Sequence, residues 1–340
     1  MRDYFIRRTL LIIPTLIGIT MLVFMVTRFV PGGPLERAIM EAQQASVTSV
    51  SNQRDSGQGM ALSADQLQQL KEYYGLDKPW YESYVLWVGK VVTGDLGTSY
   101  RYNEPVWDVI RQRFPVSLFY GLISLVITYL VCIPLGVMKA IGHRSTMDNI
   151  TSIVVFAGYA VPGYVLGALL LLFFAVGEDW FPMGGFTSFN FEDLSPGEQI
   201  LDILHHAVLP LICYLVGSFA VTTMLMKNNL MDNLAADYVR TAVAKGLPFK
   251  RAVSGHALRN SLIPIATTFG QNITLVVGGS FLIETIFDID GFGLLGLTSI
   301  FDRDYPVVMG IVFIASLLLL IGNILSDILV AAVDPRVRFQ

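Results

Sequence analysis

Six long stretches of this chain contain no Asp, Glu, Lys or Arg: Thr9–Thr27, Phe114–Met138, Asn149–Gly177, Ile203–Met226, Asn260–Ile283 and Tyr305–Ser326. A helix needs about 20 apolar residues to cross a hydrocarbon layer roughly 30 Å thick, and a mid-helix Arg or Lys costs about 2.5–3.5 kcal/mol on insertion. The pattern therefore predicts six crossing helices, near residues 9–30, 114–138, 149–177, 205–226, 260–283 and 305–333. Pro134, Pro162 with Gly163, and Pro210 interrupt these runs. Such residues free backbone groups from the helical ladder, which neighbouring helices tolerate as kinks and which a gate can also exploit.

Composition agrees with an all-α integral membrane protein. Over 340 residues the mean hydropathy is +0.57 and only 15% of residues are charged. Loop charges alternate in sign. Arg2, Arg7 and Arg8, then Lys139 and Arg144, then Arg336 and Arg338 mark one side, and Lys227, Arg240, Lys245, Lys250, Arg251 and Arg259 make the segment between spans four and five its most basic part. Opposite them, residues 178–202 carry six acids and no base, and residues 284–304 carry five acids against Arg303. By the positive-inside rule, both termini and the basic segment at 227–259 face the cytoplasm. The first run exceeds the apolar core of a signal peptide and is followed by PGGP instead of a small-residue cleavage site, so it is read as span one. Cys132 and Cys213 fall inside spans and read as packing residues, with no disulfide or metal framework.

Residues 31–113 form a long segment on the outer side. Its stretch at Gln43–Met60 is polar and poor in bulky apolar residues. Beyond it, Ser63 with Gln66 makes a capping box ahead of Leu67, Leu70, Tyr73 and Tyr74 at helical spacing. Trp80, Tyr81, Tyr84 and Trp87 read as interfacial anchors, with ligand contact as the alternative.

The basic segment carries a second amphipathic signal. Residues 235–245 favour helix, Gly246 is placed as its stop, and Pro248 opens the next helix. Tyr238, Thr241, Ala242 and Lys245 share one side of it, small and polar enough to be covered by protein. A basic helix lying on anionic headgroups is the other reading. Intramembrane acids and histidines, the usual mark of a proton-coupled carrier, are scarce. Asp327, in the last turns of span six, is read as a structural bond or ion pair, and His205 and His206 lie at the mouth of span four. There is no phosphate-binding loop and no zinc-protease motif in the sequence. An energy source would have to enter through another subunit.

The run DYVRTAVAKG at Asp237–Gly246, continued by HALRNSLIPI at His256–Ile265, resembles the signature loop of permease subunits in ATP-binding-cassette importers of the dipeptide and oligopeptide family. GLDKPW at Gly75–Trp80, GDLGTSY at Gly94–Tyr100, RFPVSL at Arg113–Leu118, RDYPVVMG at Arg303–Gly310 and DPRVRF at Asp334–Phe339 extend the resemblance along nearly the whole chain. It is to the B-type permease of the pair. PGGP at Pro31–Pro34, the insertion near Gln43–Met60, and LMKN at Leu225–Asn228 bring it nearest the oligopeptide and microcin C subgroup. Where the wider superfamily begins this loop with Glu-Ala-Ala, this chain has Arg240, Thr241 and Ala242, with Gly246 at the closing glycine, as peptide-type permeases do.

The resemblance implies a type I importer permease of six helices in a bacterial inner membrane, itself without catalysis or cofactor. ATP would be used by two cytoplasmic ATPase subunits, beside a second homologous permease and a periplasmic substrate-binding protein, and no nucleic acid is involved. It implies that Tyr238, Arg240, Thr241, Ala242, Lys245, Gly246 and Leu247 contact an ATPase. Thr267, Thr268, Gln271, Asn272 and Thr274 make span five polar and are candidates to line the solute path, or equally to join neighbouring helices. Glu284, Asp290 and Phe292 fall in a glycine- and acid-rich segment that is the candidate outer gate. A self-sufficient secondary carrier, or a permease for nickel, glutathione or another small solute, is the competing expectation.

Overall fold

In the computed structural model, residues 2–30, 33, 39, 64–73, 75 and 77–333 are described. PGGP, the Gln43–Met60 insertion, the Ser63 cap and the DPRVRF tail with Arg336 and Arg338 fall outside them, wholly or in large part. The described residues are helical almost throughout: α1 (Arg2–Phe29), α2 (Ala64–Tyr73), α3 (Trp80–Val92), α4 (Val106–Ile141), α5 (Thr146–Ala160), α6 (Gly163–Leu170) with a π-helical turn after it (Leu171–Gly177), α7 (Pro196–Ala235), α8 (Asp237–Ala244), α9 (Phe249–Ala252), α10 (Leu258–Ser261), α11 (Ile263–Gly278), α12 (Phe281–Ile286), α13 (Phe292–Phe301) and α14 (Tyr305–Val333).

Among the described residues, α1, α4, α7 and α14 are long and apolar enough to cross a membrane, and α5 with α6 makes a fifth span if the bent pair counts as one. Six crossings are expected from the sequence, and the described helices account for four or five of them. The predicted third span bends by 92°. Val161 stands in extended backbone at φ −95°, ψ 121°, where the ring of Pro162 pushes its predecessor out of the helical region. The predicted fifth span divides. Its helix α11 has 16 residues, about 24 Å at 1.5 Å per residue, and ends at Gly279 with φ +61°. Its charge-free run thus includes helix ends and a turn that hydropathy alone does not register. Helix α7 is longer than predicted, reaching Ala235, so Lys227 lies inside a helix where the sequence reading placed a loop.

The chain divides into two compact units. One comprises residues 14–110 and 298–314. In it, Tyr84 of α3 is 7% exposed and turns its hydroxyl to Thr20 Oγ1 at 2.9 Å and to the Ile17 carbonyl at 3.0 Å. Its ring meets Phe24 edge-on at 5.4 Å. Tyr84 is therefore a core residue fastening α3 to α1, a role neither anchoring nor ligand contact describes. The GDLGTSY and RDYPVVMG motifs meet here. Asp304, 1% exposed, accepts from Ser99 Oγ and from the Tyr100 and Arg101 amides at 3.1 and 3.3 Å.

The other unit comprises residues 1–13, 111–297 and 315–340. One of its cores gathers Tyr120, Ala207, Leu209, Cys213, Ile283, Phe287 and Ile289, and a second gathers Ala140, Met226, Leu230, Val239, Ala252, Ala257 and Ile265. Close helix approach is bought with glycine: a Cβ on Gly270 of α11 would sit 2.5 Å from the Gly322 carbonyl oxygen of α14. Ser326 seals that contact by donating to the Ala266 and Thr267 carbonyls at 2.6 and 2.8 Å. Asp327 pairs with Arg8 of α1 at 2.7 Å and accepts from the Tyr4 hydroxyl at 3.2 Å, a structural ion pair as expected.

Candidate coupling site

Helix α8 is separated from α7 by one residue. Ala236 takes extended backbone, at ψ 147°, and Asp237 then opens the new helix with an acid in its first turn, where the helix dipole favours it. Closure is a Schellman motif. The Leu247 amide donates to the Ala242 carbonyl at 3.1 Å and the Gly246 amide to the Val243 carbonyl at 2.9 Å, while Gly246 adopts φ +94°. Glycine carries no Cβ penalty in that region, so the residue type and the sharp stop have one cause.

The helix is rooted by a residue that sequence reasoning missed. Val239 is 2% exposed and lies in the second core beside Met226 and Leu230 of α7 and Ala140 of α4. The helix has two valines, Val239 buried and Val243 exposed, and residue type alone does not tell them apart. Polar bonds add to the root. Tyr238 donates to Asn233 Oδ1 at 2.5 Å and accepts from Asn260 Nδ2 at 3.0 Å, and Asn233 reaches Ser261 at 3.1 Å. Arg240, Thr241, Lys245 and Gly246 are exposed, Tyr238 is exposed apart from its bonded hydroxyl, and Ala242 and Leu247 are half-buried. The sequence candidates thus come together on one short helix and its cap, with Leu247 turned partly into the core.

Beside this root lies an ionic cluster. Lys139 at the end of α4 is fully buried, Asp148 of α5 is 3% exposed at its side chain, and Lys227 of α7 is 11% exposed. Lys227 Nζ contacts both Asp148 oxygens, at 2.8 and 2.9 Å. Lys139 Nζ reaches Asp148 Oδ1 at 3.0 Å, the Asp148 carbonyl at 2.7 Å, and Thr151 and Ser152 hydroxyls at 2.8 Å. The sequence reading counted both lysines as loop charges. Tertiary packing overrides that count, because a buried ammonium is tolerable only where acceptors replace its water.

A second polar cluster holds the glycine-rich turn. Glu284 is fully buried and accepts from Ser117 Oγ at 2.8 Å and from the Leu294 amide at 2.6 Å, while Ser117 Oγ accepts from the Phe292 amide at 2.7 Å. Its carboxylate therefore caps the start of α13. A Cβ on Gly291 would approach that carboxylate to 2.5 Å, so the glycines of this segment make room for the acid.

A family model described as the binding-protein-dependent transport system inner membrane component matches residues 132–339, which include α7, α8 and the core beneath them. The chain belongs to this family. The permease is 38% identical to the peptidoglycan transport system permease protein YejB of Agrobacterium fabrum, over 100% of this chain and 99% of that one. It is 37% identical to the oligopeptide transport system permease protein AppB of Bacillus subtilis, over the full length of both. The dipeptide transport system permease protein DppB of Escherichia coli is 31% identical, again over both full lengths.

Other candidates in the permease are placed less simply. Thr267 and Thr268 donate to carbonyls of their own helix region, Ile263 and Ile265, at 2.9 and 3.0 Å. The side chains of Gln271 and Thr274 lie outside the described residues. Asn272 donates to the Tyr129 hydroxyl at 2.6 Å and borders a cavity of about 90 Å³ with Ser124, Thr128, Tyr214 and Ser218. Asp290 is 70% exposed at its side chain and pairs with Arg113 at 2.8 Å, whereas Phe292 is buried as the first residue of α13. The glycine-rich segment turns helical from Phe292, where Ser117 Oγ and the Glu284 carboxyl accept from the Phe292 and Leu294 amides.

Proposed function

We propose that this permease is one half of the membrane pathway of an ATP-driven peptide importer, with α8 as the helix an ATPase subunit grips. The carrying observation is the form of α8: an exposed Arg240, Thr241 and Lys245 face on a helix rooted by buried Val239 and closed by Gly246. A push on such a helix is passed to α7 because Val239 shares a close-packed core with Met226 and Leu230 of α7, a core to which Ala140 of α4 also belongs. The oligopeptide and dipeptide systems to which the relatives belong support peptides as the solute class. The working assembly holds a second permease, two ATPases and a periplasmic binding protein, and this chain contributes six crossings with both termini in the cytoplasm, the orientation its loop charges favour. Asn272 and its hydroxyl neighbours line the solute path, and the turn around Glu284, Asp290 and Phe292 closes its outer end.

Replacing Gly246 with valine tests the coupling assignment. Open space surrounds the position, so no packing clash is introduced, but a β-branched residue strains the left-handed backbone. The expected result is loss of uptake and of ATPase stimulation with membrane insertion intact. Normal uptake would refute the docking role of α8.

A further inference from the structure

The buried cluster contains two ammonium groups and one carboxylate, and its two lysines are not equivalent. Lys139 is fully enclosed and holds four acceptors, three of which belong to groups other than the Asp148 carboxylate. Lys227 sits at the edge, and among the described residues its ammonium contacts no acceptor except the two Asp148 oxygens. Asp148 also accepts from the Arg144 amide at 3.0 Å, and His143 Nδ1 lies 3.6 Å from it. If Lys227 withdraws, Asp148 keeps a counter-ion and an amide donor. If Lys139 were missing, the same withdrawal would strand a buried carboxylate, which is strongly unfavourable.

Lys227 lies eight residues before the end of α7, about 12 Å of helix at 1.5 Å per residue, and α8 follows after Ala236. Its neighbours Met226 and Leu230 pack against Val239. We infer that the Lys227–Asp148 contact is a releasable latch between α7 and the α4–α5 turn, opened when α8 is driven, with Lys139 as the resident counter-ion that makes opening affordable. Asp148, Lys139 and Lys227 are positioning residues: none is assigned contact with solute or nucleotide. This inference rests on α8 as the driven helix, and assigns the cluster a role in the transport cycle beyond holding the fold.

The two lysines then predict opposite effects. In the complete transporter reconstituted in nanodiscs, ATP hydrolysis is measured without binding protein or cargo. Lys227→Met frees α7 and should raise hydrolysis about tenfold, within the range usual for coupling between sites. Lys139→Met leaves a one-to-one pair that resists opening and should lower it by a similar factor. A purely structural cluster would shift both variants the same way or leave hydrolysis unchanged, and either result overturns the latch. Should a methionine variant fail to assemble, Lys227→Arg keeps the charge and grips the carboxylate with two parallel bonds, so it should lower hydrolysis. Wild-type or higher rates in that variant overturn the latch as well. Gly246→Val, measured alongside, separates the two readings. Altered hydrolysis there with unaltered lysine variants faults the latch alone, and unaltered hydrolysis there faults the docking of α8.

Discussion

Asp148 and Glu284 are both buried carboxylates in the same unit of the permease, yet they are satisfied by opposite means. Asp148 sits between two ammonium groups, whereas Glu284 accepts from a hydroxyl and a backbone amide at the start of α13. The first arrangement ties together three helices that meet near α8. The second ties a short turn to the start of a helix, using the positive end of the helix dipole where the other uses charged side chains. A cluster with a spare cation tolerates the loss of one partner. Glu284 is held by neutral donors from two elements, the Ser117 hydroxyl of α4 and the Leu294 amide of α13, and has no paired cation among the described residues, so the turn and the acid stand or fall together.

The strongest way to break this comparison is Asp148→Asn. It leaves two buried ammonium groups without a carboxylate, and breaking a buried pair in this way costs about 3–5 kcal/mol. The expected outcome is a steep fall in the melting temperature of the purified permease complex. Glu284→Gln is the matched change at the other site. It keeps the shape but puts an amide NH2 where a carboxyl oxygen accepted, and a buried donor left unpaired costs about 1–3 kcal/mol. Local rather than global destabilisation is expected, read as faster hydrogen exchange confined to the amides of α12, α13 and the turn of α4 around Ser117. Equal melting temperatures for the two variants would remove the distinction drawn between them. Arg113→Ala sharpens it from below. Asp290 is 70% exposed at its side chain, so solvent screens its pair with Arg113, and a fall in melting temperature smaller than that of either carboxylate variant is expected.

The elements that were legible in the sequence share a cause. The charge-free runs behind α1, α4, α7 and α14, the stop at Gly246 and the restart after Pro248 are local, set by residue type within a few positions. The motifs GDLGTSY and RDYPVVMG were visible as strings, but the bond between them, Ser99 and the following amides onto Asp304, joins residues 205 apart in the chain. The same limit hid the cluster at Asp148. Lys139 and Lys227 stand at the edges of apolar runs, where a lysine ordinarily reaches water, and nothing within several residues distinguishes a buried one. Tyr84 looked like one of several interfacial aromatics until α1 was seen to supply Thr20 and the Ile17 carbonyl as its partners.

Hydropathy, turn chemistry and residue motifs were sufficient to establish that this chain is a helical membrane protein of a transport family, and to mark the short helix after Ala236. They act over one or two turns of helix, a range that a linear reading spans. The 92° bend between α5 and α6 has a local seed at Pro162, but its size depends on what packs around it. Which lysines are buried, that Glu284 meets Ser117 of α4, and which valine roots α8 were decided by packing, because the cost of enclosing a charge or an apolar group depends on what surrounds it in space.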